Sequence, residues 1–416
     1  MTYKQARQYI EELNKRGSIL GLSNMEKLMN ALGHEYEKAK VIHIAGTNGK
    51  GSVGAFLESV LKDNGFTVGR YISPAIQTYL ERFTVNSREI SEECFAECIE
   101  KIKNASDKNN IKPTAFEAET AAALLALADC DYILLEVGLG GREDATNIIR
   151  ESECSVITSI SNDHSAVLGD TLAKIAYQKA GIIKCGGTVV SAPQCDEVQK
   201  VIYSECEKAN AFVTFAEKPQ NIRFLENSLY FDYNGYKNIK INMLGLFQPE
   251  NAALAIEVLK KLGITNIKNG LEKASWRGRF EIISKKPLII IDGAHNEDAA
   301  IRLRESLEAY YPKNKFRFIT GVLADKDYDK IMRITAPMAE EIYTITPNNP
   351  RALNAEQLTE CIRHYNKNVY TSDIESAASH CLSDDGYVNV VFGSLSFLGD
   401  FIKSSDKLLC IFRERI

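Results

Sequence analysis

The sequence has no excess of basic residues and no metal-binding cysteine pattern. It carries 50 Lys and Arg residues against 55 Asp and Glu residues, and the resulting net charge of −5 argues against a general nucleic-acid binder. Ten cysteines are present, but they form no C-x-x-C pair and no Cys/His cluster with zinc spacing. These absences exclude the basic nucleic-acid-binding and zinc-finger classes of protein.

The sequence also lacks long apolar runs. No run reaches the ~18 residues that a membrane-spanning helix needs. The segment from Met1 to Lys15 is polar and charged, so we expect no secretory signal. We therefore expect a cytoplasmic protein with reduced thiols, without membrane or nucleic-acid partners, and nothing in the sequence demands more than a monomer. The length of 416 residues suggests two or three domains.

A glycine-rich turn joins an apolar strand to a helix near residue 46. The turn consists of Gly46, Thr47, Asn48, Gly49, Lys50, Gly51 and Ser52. Glycines let the backbone close around a polyphosphate, and the amides at a helix start donate hydrogen bonds to its oxygens. Lys50 can reach the outer phosphates and Ser52 can ligate Mg²⁺, although Gly51 separates them and the usual loop has Ser or Thr directly after Lys. The turn predicts a nucleoside-triphosphate site, and the alternative is a glycine-rich turn with no ligand.

Apolar strands alternate with helical patterns in the N-terminal part of the chain. The predicted strands are 41–45, 67–72, 132–137, 155–160 and 188–191. The predicted helices are 53–64, 92–103, 118–128, 171–180 and 250–262. This alternation predicts a mostly parallel sheet with helices on both faces. Before the last helix, we predict a hairpin with Asn234-Gly235 as its turn.

A second alternating unit begins near residue 287. The predicted strands are 288–291, 316–320, 342–346, 368–371 and 387–392, with a helix at 297–310. We therefore expect a boundary near residue 284. The predicted fold is α/β, with a P-loop-type, mostly parallel sheet domain over 1–284 and a smaller Rossmann-like α/β domain over 285–416. We expect a cleft between the two domains.

Two strand ends carry polar groups. Glu136 ends a buried strand and is followed by glycines, and Asp292 ends a strand before a helix. In open α/β sheets, ligands bind beyond the carboxyl ends of strands, so Glu136 is well placed to ligate Mg²⁺. The alternatives are a charged strand end in solvent and a capped helix start.

Several of these segments together resemble one family. The sequence reads E-V-G-L-G-G-R-E-D-A-T-N at 136–147, S-N-D-H at 161–164 and D-G-A-H-N at 292–296. With the glycine-rich loop, these motifs are similar in content and order to those of folylpolyglutamate synthases, some of them bifunctional with dihydrofolate synthase, within the Mur-ligase superfamily. The resemblance extends from residue 46 to about residue 395. It implies a Mg²⁺- and ATP-dependent ligase that adds L-glutamate to a reduced folate through an acyl phosphate, and it leaves dihydropteroate open as a second acceptor.

The resemblance implies a metal site near the loop. Its implied members are Ser52, Ser73, Glu136, His164 and a carbamylated Lys179. Without the resemblance, Lys179 reads as a helix-terminal lysine favoured by the helix dipole, and His164 as a structural histidine. Gln178 stands where the family has Glu, and Ala75 stands where a His is often found.

The resemblance also implies nucleotide and substrate contacts. Besides the loop, the implied ATP contacts are Gln248, Asn251, Arg279, Asp292 and His295. Lys50, Lys179 and His295 are the candidate catalytic residues, with His295 between phosphate and glutamate. Arg82 and Ser394 are the implied contacts to glutamate, and Asp144 is implied to lie near the folate acceptor.

Two other functions are compatible with the loop alone. A Mur-type cell-wall peptide ligase would carry an N-terminal domain for a UDP-sugar, and only 40 residues precede Val41. A P-loop switch protein without ligase chemistry would bind ATP but would need no amino-acid site. The D-G-A-H-N segment favours the folate ligase over both.

Overall fold

The computed structural model describes residues 1–17, 21–225, 227–383 and 385–413, without the side chains of 165–166 and 406–413. In this part the strands form three sheets. The first sheet contains β1 (Lys40–Ala45), β2 (Val68–Tyr71), β3 (Phe83–Val85), β4 (Arg88–Glu89), β5 (Tyr132–Glu136), β6 (Cys154–Ile157), β7 (Thr188–Ser191) and β8 (Phe212–Phe215). The second contains β9 (Gln220–Leu225), β10 (Ser228–Tyr233) and β11 (Tyr236–Ile241). The third contains β12 (Glu281–Lys285), β13 (Leu288–Asp292), β14 (Lys315–Thr320), β15 (Ala339–Thr344), β16 (Val369–Thr371) and β17 (Tyr387–Phe392).

Helices connect most of these strands. They are α1 (Tyr3–Asn14), α2 (Ser23–Leu32), α3 (Lys50–Asp63), α4 (Glu92–Asn109), α5 (Ala115–Ala126), α6 (Ser165–Leu168), α7 (Leu172–Ala180), α8 (Asp196–Ala209), α9 (Gln248–Lys261), α10 (Lys268–Lys273), α11 (Glu297–Tyr310), α12 (Tyr328–Thr335), α13 (Ala355–Ile362), α14 (Ile374–Cys381) and α15 (Leu395–Arg413). Short 3₁₀ helices span Glu35–Lys38, Tyr79–Arg82, Ala145–Ile148 and Ala336–Met338. None of these described helices is both long and apolar enough to cross a membrane.

The first sheet places β1 at its centre. The strand order is β4-β3-β2-β5-β1-β6-β7-β8, with β3 and β4 antiparallel at one edge and the other strands parallel. β1, β5 and β6 are apolar and almost wholly buried, as is usual for parallel strands covered on both faces. Because parallel strands end at the same edge, the segments after β1, β5 and β6 come together there.

The strands predicted for this sheet are present, but several predicted ends are wrong, including the end of the helix predicted over 92–103, which continues to Asn109. The helix expected from residue 53 begins at Lys50, because Gly49 in the turn is already its N-cap. The strand expected to reach residue 160 ends at Ile157, because the chain then turns toward the loop, where the Thr158 and Ser159 hydroxyls donate to Asn48 O. β3, β4 and β8 were not predicted, since strands of two to four residues carry too little pattern.

The second sheet confirms the predicted hairpin. β10 and β11 are joined by Asn234 and Gly235, whose φ angles of 45° and 85° are those of a two-residue turn with both central residues left-handed. β9, which was not predicted, pairs with the other side of β10. Leu229 and Phe231 of β10 are buried in the apolar core that also contains α9.

The third sheet has the order β12-β13-β17-β14-β15-β16, with β12 antiparallel at the edge and the remaining strands parallel. β12 was not predicted, and it begins at Glu281, on the N-terminal side of the boundary expected near residue 284. We therefore propose that the division between the two domains lies before β12. One apolar cluster extends from Ile44 of β1 through Leu254 of α9 to Phe318 of β14, so the first and third sheets share a continuous core.

Candidate active site

The glycine-rich turn is a tight loop between β1 and α3. Gly49 has a φ of 90°, and a Cβ there would lie 2.5 Å from Asn251 Oδ1, so both conformation and space require glycine. Lys50 folds back over the loop, with Nζ donating to Gly46 O at 3.1 Å and to Thr47 O at 3.4 Å. Burial lowers the pKa of Lys50, although the Glu136 carboxylate opposes this change. The loop and the start of α3 thus have the build of a polyphosphate site.

Glu136 and Ser52 offer oxygen atoms beside this loop. The residue register pairs Glu136 at the end of β5 with Ile44 of β1. The carboxylate is buried, burial raises its pKa, and Lys50, Arg70 and Arg279 partly offset this rise. Among the described residues it accepts no hydrogen bond, so its lone pairs are available. The Ser52 hydroxyl is buried and accepts from Gln248 Nε2 at 3.2 Å.

This donor set fits Mg²⁺. Magnesium is commonly held by one or two protein oxygens together with substrate phosphates and water. The described residues contain no cluster of three or more His, Cys, Asp or Glu side chains that could hold a metal alone. Ser52 and Glu136 are therefore the residues that would hold Mg²⁺ together with ATP.

Lys179 lies directly under the phosphate loop. It is in the last turn of α7, and its Nζ donates to Gly46 O at 2.9 Å. Burial, followed by the charge of Lys50, lowers the pKa of Lys179 to about 7. Asp163 and Asp144 act in the opposite direction at longer range. A substantial part of this buried amine is neutral near neutral pH.

Asp163 joins the two domains. Its carboxylate accepts from Lys326 Nζ at 2.7 Å and from Asn296 Nδ2 at 3.1 Å, and its Oδ2 lies 3.7 Å from His295 Nε2. Burial opposes the ionisation of Asp163, but Lys326 and the neighbouring histidines outweigh it and hold its pKa well below its usual range. His164 follows with a φ of 51° and its Nε2 lies 3.3 Å from Lys326 Nζ. The N-D-H segment of the first domain is thus held against the second.

His295 and Asp292 lie after β13 on the second domain. His295 Nδ1 is 2.7 Å from Gly293 O, which fixes the proton on Nδ1 and leaves Nε2 free as an acceptor in the neutral ring. Burial, followed by the charge of Lys326, lowers the pKa of His295 to about 4. The Asp292 carboxylate accepts from Phe280 N at 2.7 Å and Ala294 N at 2.8 Å, and burial raises its pKa to about 6.

A cleft of roughly 520 Å³ separates the two domains. Its lining includes Ser73, Phe116, Asp144, His164, His295, Lys326 and Ser394. Five of the predicted site residues therefore face the same cavity. The buried Ser394 hydroxyl is within 2.7 Å of Ser396 Oγ.

Asp144 forms part of the wall of this cleft, and hydrogen bonds from neighbouring residues hold its carboxylate in place. Its Oδ2 accepts from Leu139 N at 2.8 Å, and its Oδ1 accepts from Thr146 N at 3.0 Å and Thr146 Oγ1 at 2.5 Å. His43 Nε2 lies 2.9 Å from the same Thr146 hydroxyl. Since that hydroxyl donates to Asp144, His43 donates to it through Nε2. Burial raises the pKa of Asp144, and these hydrogen bonds act in the opposite direction.

Arg82 is held on the first domain in a pair with Glu119. Its Nη1 donates to Glu119 Oε1, and its Nη2 donates to Tyr71 OH at 3.2 Å. Its Nε donates to Ile72 O at 3.4 Å. The guanidinium is thus engaged on three sides, and a contact from Arg82 to glutamate stays a prediction. Gln248 and Asn251, by contrast, begin α9 beside Ser52 and Gly49, where the prediction expects nucleotide contacts.

Sequence reasoning missed four residues that the structure brings to the site. They are Arg70, Asp163, Asn296 and Lys326. Asp163 and Asn296 occur inside segments that the sequence analysis had singled out, next to His164 and next to His295, whereas Lys326 lies in A-D-K-D at 324–327, outside those segments. Their pairing could not be read from the sequence, because it joins residues far apart in the chain.

Two family models match this chain. The Mur ligase middle domain matches residues 44–259, and the glutamate ligase domain of Mur ligases matches residues 278–395. Together with the loop and the cleft, these matches define the class of protein as an ATP-dependent ligase of the Mur type.

The individual relatives show to which family within this class the chain belongs. A Bacillus subtilis (strain 168) protein named dihydrofolate synthase/folylpolyglutamate synthase is 36% identical, with 96% of this chain and 98% of the relative covered. Among solved structures, E. coli FolC in complex with DHPP and ADP has a TM-score of 0.87 at 29% identity, covering 98% of each chain. A bifunctional folylpolyglutamate synthase/dihydrofolate synthase from Yersinia pestis, complexed with AMPPNP and Mn ion, has a TM-score of 0.84 at 29% identity, covering 97% of this chain and 98% of that one. This chain belongs to the folylpolyglutamate synthase/dihydrofolate synthase family.

Proposed function

We propose that this chain adds L-glutamate to a reduced folate with ATP and Mg²⁺, through an acyl-phosphate intermediate. The observation that carries the proposal is that both domains line one cleft next to the glycine-rich loop. Asp144 and His164 of the first domain line it together with His295 and Ser394 of the second. The Asp163–Lys326 pair joins the two walls, and Asn48 of the loop hydrogen-bonds to Asn296 beside His295. The relatives' nucleotide, manganese and DHPP complexes support the same assignment.

The first step activates a carboxylate. A terminal carboxylate oxygen of the folate attacks the γ-phosphorus of ATP, the bond to the β,γ-bridging oxygen breaks, and ADP forms. Lys50 and the amides at the start of α3 stabilise the transferring phosphoryl group. Ser52 and Glu136 would hold Mg²⁺, which would neutralise phosphate charge when bound. Gln248, Asn251, Arg279 and Asp292 are the proposed contacts to the rest of the nucleotide.

The second step forms the amide. The glutamate amine attacks the acyl carbon, a tetrahedral intermediate forms, and inorganic phosphate leaves. The attacking nitrogen must lose a proton, and neutral His295, which lines the cleft and donates through Nδ1, is proposed to accept it at Nε2. Ser394 and Arg82 are the proposed contacts to glutamate, and Asp144 the proposed contact to the folate. Docking of the second domain excludes water that would hydrolyse the acyl phosphate.

Lys179 is proposed to be carbamylated and, with Ser73 and His164, to complete the metal surroundings. Among the described residues, the buried amine hydrogen-bonds only to a carbonyl oxygen, and in its neutral form it can attack carbon dioxide, losing a proton as the N–C bond forms. Nuclear magnetic resonance of protein equilibrated with ¹³C-bicarbonate should show one carbamate signal that the Lys179→Arg variant lacks. An identical signal from both proteins, or none from the unsubstituted protein, would contradict this assignment.

The main test is ADP release by the purified protein with Mg-ATP and L-glutamate. Three reactions are compared, with tetrahydrofolate, with dihydropteroate and without acceptor, and the products are identified by mass. Turnover with tetrahydrofolate alone would indicate a dedicated polyglutamate synthase, and turnover with both acceptors a bifunctional enzyme. Absence of acceptor-dependent turnover, from protein that binds ATP, would overturn the proposal and favour the switch-protein alternative. A UDP-sugar peptide is the acceptor that tests the cell-wall alternative.

A further inference from the structure

Gly51, the residue that separates this loop from the usual pattern, is the point where two other side chains meet it. Gly51 O accepts a hydrogen bond from Arg70 Nη2. A Cβ on Gly51 would lie 2.6 Å from Trp276 Nε1, so no larger residue fits unless the indole moves. The inserted glycine therefore lets Arg70 and Trp276 approach the backbone of the loop directly.

Arg70 is held rigidly in this position. It is buried on β2, with its Cζ 4.0 Å from the centroid of the Trp276 ring and its Nη1 3.4 Å from Glu58 Oε2. A Cβ on Gly54 would lie 3.0 Å from Arg70 Nη2. Gly51 and Gly54 are one helical turn apart and so share a face of α3. Together they leave a strip of bare backbone on which the guanidinium lies.

Trp276 is also close in sequence to Arg279, a proposed contact to the nucleotide. Arg279 follows it by three positions, and its charge acts on Lys50 and Glu136 at the loop. A cavity of roughly 220 Å³ is lined by Gly51, Arg70, Glu136, Trp276 and Arg279. The same short segment thus touches the first turn of α3 and delivers a guanidinium to the candidate ATP site. It then continues directly into β12 of the second domain.

We propose that Arg70 and Trp276 are positioning residues that couple the phosphate loop to Arg279 and to the segment entering the second domain. Phosphates bound at the start of α3 order its first turn, and the contacts at Gly51 transmit that order to Trp276 and then to Arg279. This inference rests on the proposed function only in taking ATP as the ligand of the loop. It does not depend on which acceptor the protein uses.

The sequence supplies its own probe for this coupling, because Trp276 is the single tryptophan of the chain. The intrinsic fluorescence of the full-length protein is titrated with Mg-ADP, and binding is measured in parallel by calorimetry. We expect a saturable change in emission with the same midpoint as the calorimetric binding. Nucleotide binding with unchanged emission would overturn the coupling, whereas absence of any binding would overturn the proposed function itself.

Substitutions separate positioning from stability. Arg70→Lys keeps the charge but loses the planar fork, and Trp276→Leu removes the ring. Loss of a charge-assisted hydrogen bond of this kind lowers a binding constant by about 10-fold to 100-fold. We expect the KM for ATP to rise by this factor in both variants, with a much smaller change in the KM for glutamate. Trp276→Phe keeps a ring for Arg70 to stack on and should restore most of the ATP affinity.

Arg317 provides a matched control. It too is buried, lies 4.4 Å from the centroid of an aromatic ring (Tyr387) and is paired with carboxylates, but it belongs to the core of the third sheet. Arg317→Lys should lower the thermal unfolding midpoint about as much as Arg70→Lys, while leaving the KM for ATP and the fluorescence response unchanged. If both variants change the KM for ATP equally, Arg70 is a structural residue and the proposal is wrong.

Discussion

Asn48 and Asn296 hydrogen-bond to each other through both ends of their side-chain amides, with N···O distances of 3.2 and 3.1 Å. Asn48 lies in the phosphate loop, and Asn296 is the N-cap of α11, accepting from Ala299 N at 2.9 Å. Asp298 accepts a further hydrogen bond from Asn48 Nδ2 at 2.9 Å. The loop proposed to bind phosphate is thereby joined to α11, the helix that begins two residues after His295.

This contact predicts the effect of Asn296→Ala. The variant loses the helix cap, which costs about 1 kcal/mol of stability. Because it also frees Asn48, kcat/KM for ATP should fall about 10-fold, as for one lost hydrogen bond between correctly aligned groups. Steady-state kinetics and chemical denaturation measure the two effects.

Asn354→Ala is the control for this variant, because Asn354 caps α13 in the same way, through Glu356 N at 2.7 Å, away from the cleft. It should lose similar stability and keep the activity. An equal loss of activity in both variants would mean that helix capping alone explains the effect.

The His43–Thr146–Asp144 chain predicts a selective effect on the folate. Thr146→Val removes the hydroxyl that links the ring to the carboxylate, so Asp144 loses its orientation and one hydrogen bond. The KM for the folate should rise about 10-fold, with little change in the KM for ATP. Thr146→Ser should behave like the unsubstituted protein.

Thr335→Val is the matched control for a buried threonine, because the Thr335 hydroxyl donates only to Ile331 O within its own helix. It should leave both KM values unchanged. A parallel rise in the KM for ATP and for folate in Thr146→Val would point to general unfolding of the site instead.

Replacing Glu by Gln should change the free energy of unfolding in opposite directions at Glu136 and at Glu119. Glu136 is buried with a raised pKa and no hydrogen-bond donor among the described residues, so Glu136→Gln removes the cost of burying a charge. We expect it to abolish Mg²⁺-dependent ADP release while raising the free energy of unfolding by about 1 kcal/mol. Differential scanning calorimetry and the ADP assay test this pair of results.

Glu119→Gln should destabilise the protein by about 3–5 kcal/mol, because it breaks the buried pair with Arg82. If Glu136→Gln destabilised the protein as strongly, Glu136 would be a structural residue and not a candidate metal ligand.

His295 predicts a component of stability that depends on pH. Its pKa is about 4 in the folded protein against an ordinary value of 6.5, so the unfolded chain binds the proton more readily between these values. The contribution of His295 to stability is therefore complete above about pH 6.5 and is lost as the pH falls toward 4. Relative to His295→Gln, the unsubstituted protein should lose roughly 1–2 kcal/mol between about pH 7 and pH 5.

Denaturant unfolding at both pH values measures this difference, and the exposed His364, changed to Gln, is the control. A difference between the unsubstituted protein and His295→Gln that stays constant with pH would show that His295 is not shielded from protonation.

The core strands could be predicted from the sequence because their signal is local. β1, β5 and β17 are largely apolar runs bounded by turn residues, and the Asn234-Gly235 turn is a strong hairpin signal. β9 and β12 could not be predicted in the same way. Five of the six residues of β9 are exposed to solvent, and β12 is an edge strand with mixed polarity whose place is decided by pairing with β13.

The candidate site residues likewise divide into those with a local sequence signal and those without one. Glu136 and Lys50 follow from strand ends and loop chemistry, so sequence alone locates them. Arg82 is different, because its partner Glu119 lies 37 positions away and the pairing exists only in the folded chain. Lys326 and Asp163, 163 positions apart, likewise become neighbours only when the two domains dock.

The central position of β1 has a consequence for how this protein could diverge. β5, β1 and β6 deliver the carboxylate, the loop and the Thr158–His164 segment from adjacent strand ends, so the register of the sheet fixes the activation chemistry. The wall around Asp144 and Phe116 comes instead from connecting segments outside the strands. Changes in those connecting segments alone could therefore alter which carboxylic acid is activated. The residues at the strand ends, which are proposed to bind the nucleotide, would stay the same.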